Sequence, residues 1–265
     1  MRARQIDRED TGPLPLLGAA LTSGGMSLWM IVLAGGRGER VRSEVNKVYL
    51  PIADREMIEY SLDTFERSPL VDGIVVVARA GDTTHLRRLL DDLPGPVETL
   101  VVAGGATRHQ SERRGIEALA GGIDSGAIGW VAVHDGARPF VTLDLLSGLV
   151  EEARRRGGAI PALPVPAPLY QRQGIDVVPL NTESLRRAQT PQVFRAPDLL
   201  SAYRRAEEAG VEGVDTAETV ERFTDLEVGL VAGDPRNIKV TFVEDLIEAE
   251  DHARLFRAGR WTDSP

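Results

Sequence analysis

Trp29-Met-Ile-Val-Leu33, running into Ala34-Gly-Gly-Arg-Gly-Glu-Arg-Val-Arg-Ser-Glu-Val-Asn-Lys47, is the stretch on which the reading of this chain turns. Five apolar residues make a strand, and a glycine-rich turn follows at its carboxyl end. Arg37, Arg40, Arg42 and Lys47 outnumber Glu39 and Glu44 in the turn. Glycines let successive backbone N–H groups close on an anion without Cβ interference. Flexible cations just beyond can follow charge as it develops on a phosphoryl group. The stretch therefore reads as a cradle for a nucleotide triphosphate. Two commoner loops do not fit. A dinucleotide fingerprint needs a third glycine where Val41 stands, and no Gly-Lys-Ser/Thr follows for a P-loop. Taken alone, an ordinary strand-to-helix turn with solvated arginines stays open as the alternative.

Outward from that loop, short apolar strands alternate with amphipathic helices. Strands read at 29–33, 73–79, 97–103, 129–134 and 158–163, and helices at about 56–67, 82–92, 108–120 and 142–156. The strands are nearly continuous in Val and Ile, as strands buried on both faces are. The pattern predicts an α/β fold, a doubly wound, mostly parallel sheet with ligands at the carboxyl ends of its strands. Pro161, Pro164, Pro166 and Pro168 then break the rhythm and exclude a helix. An extended arm, at about 164–187, leaves the sheet there and returns near Leu185. Helix resumes at about 197–209, a strand reads at 227–231, and a last helix at about 242–256.

Composition narrows the function classes. The chain has 265 residues, 42% hydrophobic and 27% charged, with a net charge of −9. Such a surface repels nucleic acid and anionic membranes, so neither is an expected partner. A cationic loop on an acidic protein points to a small anionic ligand instead. The absence of cysteine excludes disulfides, thiolate metal sites and cysteine nucleophiles, and suits a cytoplasmic location. No apolar run reaches transmembrane length. Residues 1–27 mix Arg2, Arg4 and Arg8 with Asp7, Glu9 and Asp10, which argues against a signal peptide. They read as a mobile extension, with Met26 or Met30 as alternative starts; 28–257 is the folded domain and 258–265 a tail.

Further segments carry chemistry. Gly104-Gly105-Ala-Thr-Arg-His-Gln-Ser111 opens a helix after the third strand, and suits either a base or ribose edge or a plain turn capped by Thr107. In His134-Asp-Gly-Ala-Arg138, Asp135 suits a divalent cation or a sugar hydroxyl and Arg138 a phosphate. An ion pair between the two is the alternative, and His134 reads as a packing residue. Thr190-Pro-Gln-Val-Phe194 is a rigid extended turn. Lys239 follows the turn Gly233-Asp-Pro-Arg-Asn-Ile. Lys47 and Lys239 are the only lysines among 31 Lys and Arg, which marks both as places where a compact point charge is wanted.

With these segments in order, the chain resembles the 2-C-methyl-D-erythritol 4-phosphate cytidylyltransferase family and the related ribitol 5-phosphate cytidylyltransferases, over roughly 29–256. The motifs are Ala34-Gly-Gly-Arg-Gly-Glu-Arg40 to Lys47, Gly104-Gly105 with Arg108 and Ser111, His134-Asp-Gly-Ala-Arg-Pro139, Thr190-Pro-Gln192, Asp215 with Glu221, and Asn237-Ile-Lys239. The resemblance implies a Rossmann-like nucleotidyltransferase with a protruding β-arm that hooks round a second subunit in a homodimer. It implies in-line attack of a substrate phosphate on the α-phosphorus of CTP, with Mg²⁺ on the triphosphate. Positions matching Arg40 and Lys47 stabilise the transition state, and Lys239 holds the substrate phosphate. Asp135, Arg138 and Thr190 match the acceptor pocket. Gly35, Gly36, Gly105 and Ser111 match nucleotide contacts, with Ala34, Gly38 and Gly136 beside them.

The departures fall on one half of that pattern. Asn46-Lys47-Val48 replaces the family's Pro-Lys-Gln, keeping the lysine. Ala167 and Pro168 replace an Asp-Thr pair, Thr182 an arm arginine, and Val214 an acceptor threonine. The expected acceptor is 2-C-methyl-D-erythritol 4-phosphate, used weakly. Ribitol 5-phosphate, a phosphonate, or a catalytically silent nucleotide-binding role are the alternatives.

Overall fold

A computed structural model of the chain describes residues 4–6, 27–36, 46–93, 95, 97–166 and 168–257. Its centre is four parallel strands, β2 (Ser27–Leu33), β5 (Val71–Ala78), β6 (Glu98–Ala103) and β7 (Ile128–Asp135). β2 lies between β5 and β7, so the glycine-rich turn leaves the middle of the sheet. Side chains alternate across β2 because a strand has a period of two. Met30 and Val32 pack with α1 (Met57–Glu66), α2 (Thr83–Asp91), α5 (Leu143–Arg156) and α8 (Asp245–Arg257). Trp29 and Ile31 pack with α3 (Arg108–Glu117), α4 (Ala120–Asp124), α6 (Ala196–Glu208) and α7 (Thr216–Phe223). Helices therefore cover both faces, as the Val- and Ile-rich strands require.

Beyond β7 the sheet becomes mixed. β12 (Gln192–Arg195) inserts between β7 and β8 (Gly157–Pro164), antiparallel to both. The turn expected at 190–194 is thus mostly strand, because Gln192, Val193 and Phe194 are buried inside the sheet. β13 (Glu227–Ala232) runs parallel to β8 on its other side. Gly157, with φ of 100°, ends α5 in the left-handed conformation and starts β8 without an intervening loop. The arm is a hairpin, β9 (Leu169–Gln173) with β10 (Asp176–Leu180), and β11 (Arg186–Ala188) returns antiparallel to β8.

Some elements depart from expectation. The helix read at 108–120 is α3, followed by the separate α4. Gly121 and Gly122 stand in α4, and a Cβ at Gly122 would meet Ile128, so close packing sets this turn. A small hairpin of β3 (Pro51–Ile52) and β4 (Arg55–Glu56) precedes α1, and the short α7 was not expected. In the expected extension, β1 (Arg4–Ile6) pairs in parallel with the edge of β6, so this part of it joins the sheet.

Candidate active site

Three strand ends converge on one cavity of about 240 Å³, lined by Gly35 and Gly36 after β2, Gly105 to Arg108 and Ser111 after β6, and Asp135 after β7. Lys47, Val48 and Lys239 complete its rim with Leu33 and Ala137. This is where a doubly wound sheet offers helix N-termini and loose backbone N–H groups to a ligand.

The first wall is fixed at both ends. Arg79 donates to the carbonyls of Gly35 and Gly36. At the far end of the loop, buried Asn46 donates from Nδ2 to the carbonyl of Ala34 and to Asp82 Oδ2, at 2.5 and 3.0 Å. Its Oδ1 caps the short 3₁₀ turn Lys47–Tyr49. Lys47 Nζ then donates to the carbonyl of Val240 at 2.8 Å, beside Lys239. Arg40 and Gly38 lie outside the described residues.

The second wall is the start of α3. Thr107 caps it by accepting from the N–H of Gln110 at 3.1 Å. Ser111 is buried; its Oγ accepts from the N–H of Gly105 at 3.1 Å and donates to the carbonyl of Thr107 at 2.9 Å. Thr107 is thus the cap that the plain-turn reading gave it, and the cap shapes a wall that Gly105 and Ser111 line.

The third wall is electrostatic. Asp135 Oδ2 lies 2.7 Å from Lys239 Nζ and 3.7 Å from Arg138 Nε, and Oδ1 lies 3.3 Å from Arg108. Burial alone would raise the Asp135 carboxyl; Lys239 and Arg108, then Arg138, overcome it and hold it well below the usual carboxylate range. His134 is fully buried beneath, with Nε2 3.0 Å from the carbonyl of Arg138 and Nδ1 3.2 Å from Thr190 Oγ1. Burial pushes its pKa down to about 4, which fits a neutral packing residue.

Several expected residues support the cavity without lining it. Ala34 is fully buried, its N–H donating to Val77 and its carbonyl accepting from Asn46. Gly136 is buried too, and a Cβ there would stand 2.9 Å from the carbonyl of Leu33. It stands behind the cavity wall, in close strand-to-turn packing. Thr190 accepts from the N–H of Asp135 at 3.0 Å, and Arg138 donates to the carbonyl of Asn237 at 2.8 Å. Both hold Asp135 from behind. Pro168 and Val214 are exposed and Thr182 half-buried; none of the three lines the cavity, and Ala167 lies outside the described residues. Asn46 and Asn237 enter the sequence reading only as members of motifs, with no role assigned, and Gln189 not at all. Asn237 Nδ2 donates to the carbonyl of Thr190, and Gln189 Nε2 to that of Asn237. Their signal was a short polar residue beside a motif, which sequence offers too often to be selective.

A model of the family described as 2-C-methyl-D-erythritol 4-phosphate cytidylyltransferase matches residues 28–254. The chain belongs to that family. Its member from Geobacter metallireducens is 37% identical over 227 residues, covering 85% of this chain and 97% of the relative. That from Bacillus velezensis is 35% identical over 226 residues, covering 85% and 95%. Among solved structures, the 4-diphosphocytidyl-2C-methyl-D-erythritol synthase of Anaerococcus prevotii superposes with a TM-score of 0.75 at 26% identity, over 87% of this chain and all of that one. The 2-C-methyl-D-erythritol 4-phosphate cytidylyltransferase of Thermus thermophilus gives 0.66 at 29% identity, over 84% and 98%. The fold is therefore the Rossmann-like nucleotidyltransferase fold, and the family's members are cytidylyltransferases of isoprenoid synthesis. The enzyme class that the resemblance implies stands.

Proposed function

We propose that this chain transfers CMP from CTP to 2-C-methyl-D-erythritol 4-phosphate in the cavity at the ends of β2, β6 and β7. A phosphate oxygen of the acceptor attacks the α-phosphorus; the new O–P bond forms as the bond to the bridging oxygen of pyrophosphate breaks. The observation that carries this reading is the meeting of Lys47 and Lys239 with Gly35, Gly105, Ser111 and Asp135 around one cavity. Gly35, Gly36, Gly105 and Ser111 receive the nucleotide. Lys47, with Arg40, neutralises charge growing on the α-phosphoryl oxygens and the leaving pyrophosphate. Lys239 holds the acceptor phosphate. Asp135 holds Lys239 in place, while Thr190 and Arg138 hold Asp135.

Asp135 as a metal ligand fits less well than its sequence implied. Its oxygens already face Lys239, Arg108 and Arg138. Among the described residues no three His, Cys, Asp or Glu side chains gather to hold a metal. Such a set would suit a Mg²⁺ held on triphosphate oxygens, with Asp135 the one carboxylate that lines the cavity among the described residues. When bound, the ion neutralises the triphosphate and orients it.

The arm supports a homodimer. Tyr170, Ile175 and Val177 are 60, 95 and 63% exposed, and side chains of this type are costly to leave in water. We take the second copy as their cover. Among the described residues no helix is long and apolar enough to cross a membrane. With a cysteine-free, acidic sequence, this supports a cytoplasmic enzyme whose partners are CTP and the acceptor rather than nucleic acid or membrane.

The acceptor is tested by pyrophosphate release from CTP and Mg²⁺ with 2-C-methyl-D-erythritol 4-phosphate, ribitol 5-phosphate and a set of phosphonates. The methylerythritol phosphate is expected to give the highest kcat/KM. A higher value for ribitol 5-phosphate would transfer the assignment, and release with none would leave only a nucleotide-binding role.

A further inference from the structure

Glu112 is a carboxylate with no exposed surface, on α3 directly after Ser111. Its Oε1 stands 2.6 Å from Arg108 NH1 and accepts from Thr216 Oγ1 on α7 at 2.7 Å. Its Oε2 accepts from the Tyr203 hydroxyl on α6 at 2.8 Å. Burial pushes the carboxyl up, and Arg108 with the two hydroxyls opposes that rise. A carboxylate costs several kcal/mol to bury, and apolar side chains of similar volume join helices at least as well. Helix packing alone therefore gives no reason for a charge here.

The reason lies on the other side of Arg108. That guanidinium lines the cavity and meets a second carboxylate, Asp135, at 3.3 Å. Asp135 in turn holds Lys239 at 2.7 Å. Glu112, Arg108, Asp135 and Lys239 form a row of alternating charge that runs from the core to the cavity. We infer that Glu112 is a positioning residue for the transfer site: it holds Arg108 back from Asp135, so that Asp135 keeps its closest contact for Lys239. Without the Glu112 charge, Asp135 is the remaining carboxylate in the row for Arg108. The guanidinium then closes on Asp135 and loosens Lys239. The inference rests on the assignment of Lys239 to the acceptor phosphate, so its effect belongs to the acceptor and not to CTP.

The test is steady-state kinetics of the full chain with Glu112→Gln, which keeps the shape and removes the charge. The expected result is an acceptor kcat/KM lower by about tenfold, with the KM for CTP within about twofold of wild type. In an Arg108→Gln background the same substitution should cost less than about twofold, because Glu112 acts through Arg108. Tyr203→Phe and Thr216→Val remove a hydroxyl partner without changing charge; they should lower the melting temperature and leave the acceptor KM near wild type. The inference is overturned if Glu112→Gln behaves like those two, or costs as much with Arg108→Gln as without it. Should Glu112→Gln fail to fold, Glu112→Met, an apolar side chain of similar volume, removes the charge as well; unchanged acceptor KM there overturns the inference equally. Wild-type turnover in the same assays separates this outcome from failure of the cytidylyltransferase assignment itself.

Discussion

Lys239 Nζ and Asp135 Oδ2 meet at 2.7 Å across 104 residues of sequence, tying the turn after β7 to the loop before α8. The pair is half open: the lysine side chain is 41% exposed and the carboxylate 10%. A buried acid thus fixes a cation that still reaches a ligand.

Lys239→Ala is expected to lower the acceptor kcat/KM by roughly 100-fold or more, the scale for one lost charge partner in a closed site. Asp135 loses its strongest opposing charge, so its carboxyl rises toward the ordinary range. The acid limb of the rate profile then moves to higher pH. Initial rates carried down to about pH 3, below the ordinary aspartate value, measure both effects; an unmoved acid limb would separate Asp135 from the reaction.

Lys47→Ala and Arg40→Ala should each reduce kcat by roughly two to three orders of magnitude. CTP affinity should fall far less, because backbone N–H groups near Gly35 and Gly105 carry much of the ground-state contact. Near-normal turnover with collapsed CTP binding would assign both residues to binding alone. Calorimetric titration beside rate measurements distinguishes the two.

Stability should fall on mild acidification because of His134. Its folded pKa, about 4, lies below the ordinary 6.5, so the unfolded state binds the extra proton between those values. Stability is then greater above pH 6.5 and is lost as pH falls toward 4, by roughly 3 kcal/mol from this group. Buried His109 is also lowered by burial and adds in the same direction. Urea unfolding at several pH values measures the slope, and His134→Gln should flatten it. An equal slope in that variant would place the proton elsewhere.

The dimer proposed above rests on the exposed faces of β9 and β10. Light scattering at micromolar concentration should give twice the chain mass, and Ile175→Glu with Val177→Glu should give the monomer. A wild-type monomer would contradict the arm's assigned role.

The legible parts of the site were those whose chemistry is local. Gly35 and Gly36 follow a strand, Asp135 ends another, and the prolines from 161 onward exclude helix, each within a few residues. Lys239 stood out because lysine is scarce in this chain. Glu112 was invisible for the opposite reason. It sits in Arg108-His-Gln-Ser-Glu-Arg-Arg114, which reads as a solvated helix face, and its partners Tyr203 and Thr216 lie 91 and 104 residues later. β12 was missed likewise: Thr190-Pro-Gln192 carries turn residues, and only the strands on either side make 192–194 part of the sheet. The sequence assigned Ala34, Gly136, Thr190 and Arg138 to ligands; in the structure they stand behind the cavity wall, where they hold the strands and Asp135 in place.

We place cytidylyl transfer in the cavity of Lys47, Asp135 and Lys239. It is tested most directly by following CTP labelled at the α-phosphorus. With 2-C-methyl-D-erythritol 4-phosphate and Mg²⁺, the label should pass into an acceptor-linked cytidine diphosphate product, with one unlabelled pyrophosphate released per transfer. Label that stays in CTP, or appears in CDP while the γ-phosphate moves to the acceptor, would contradict it.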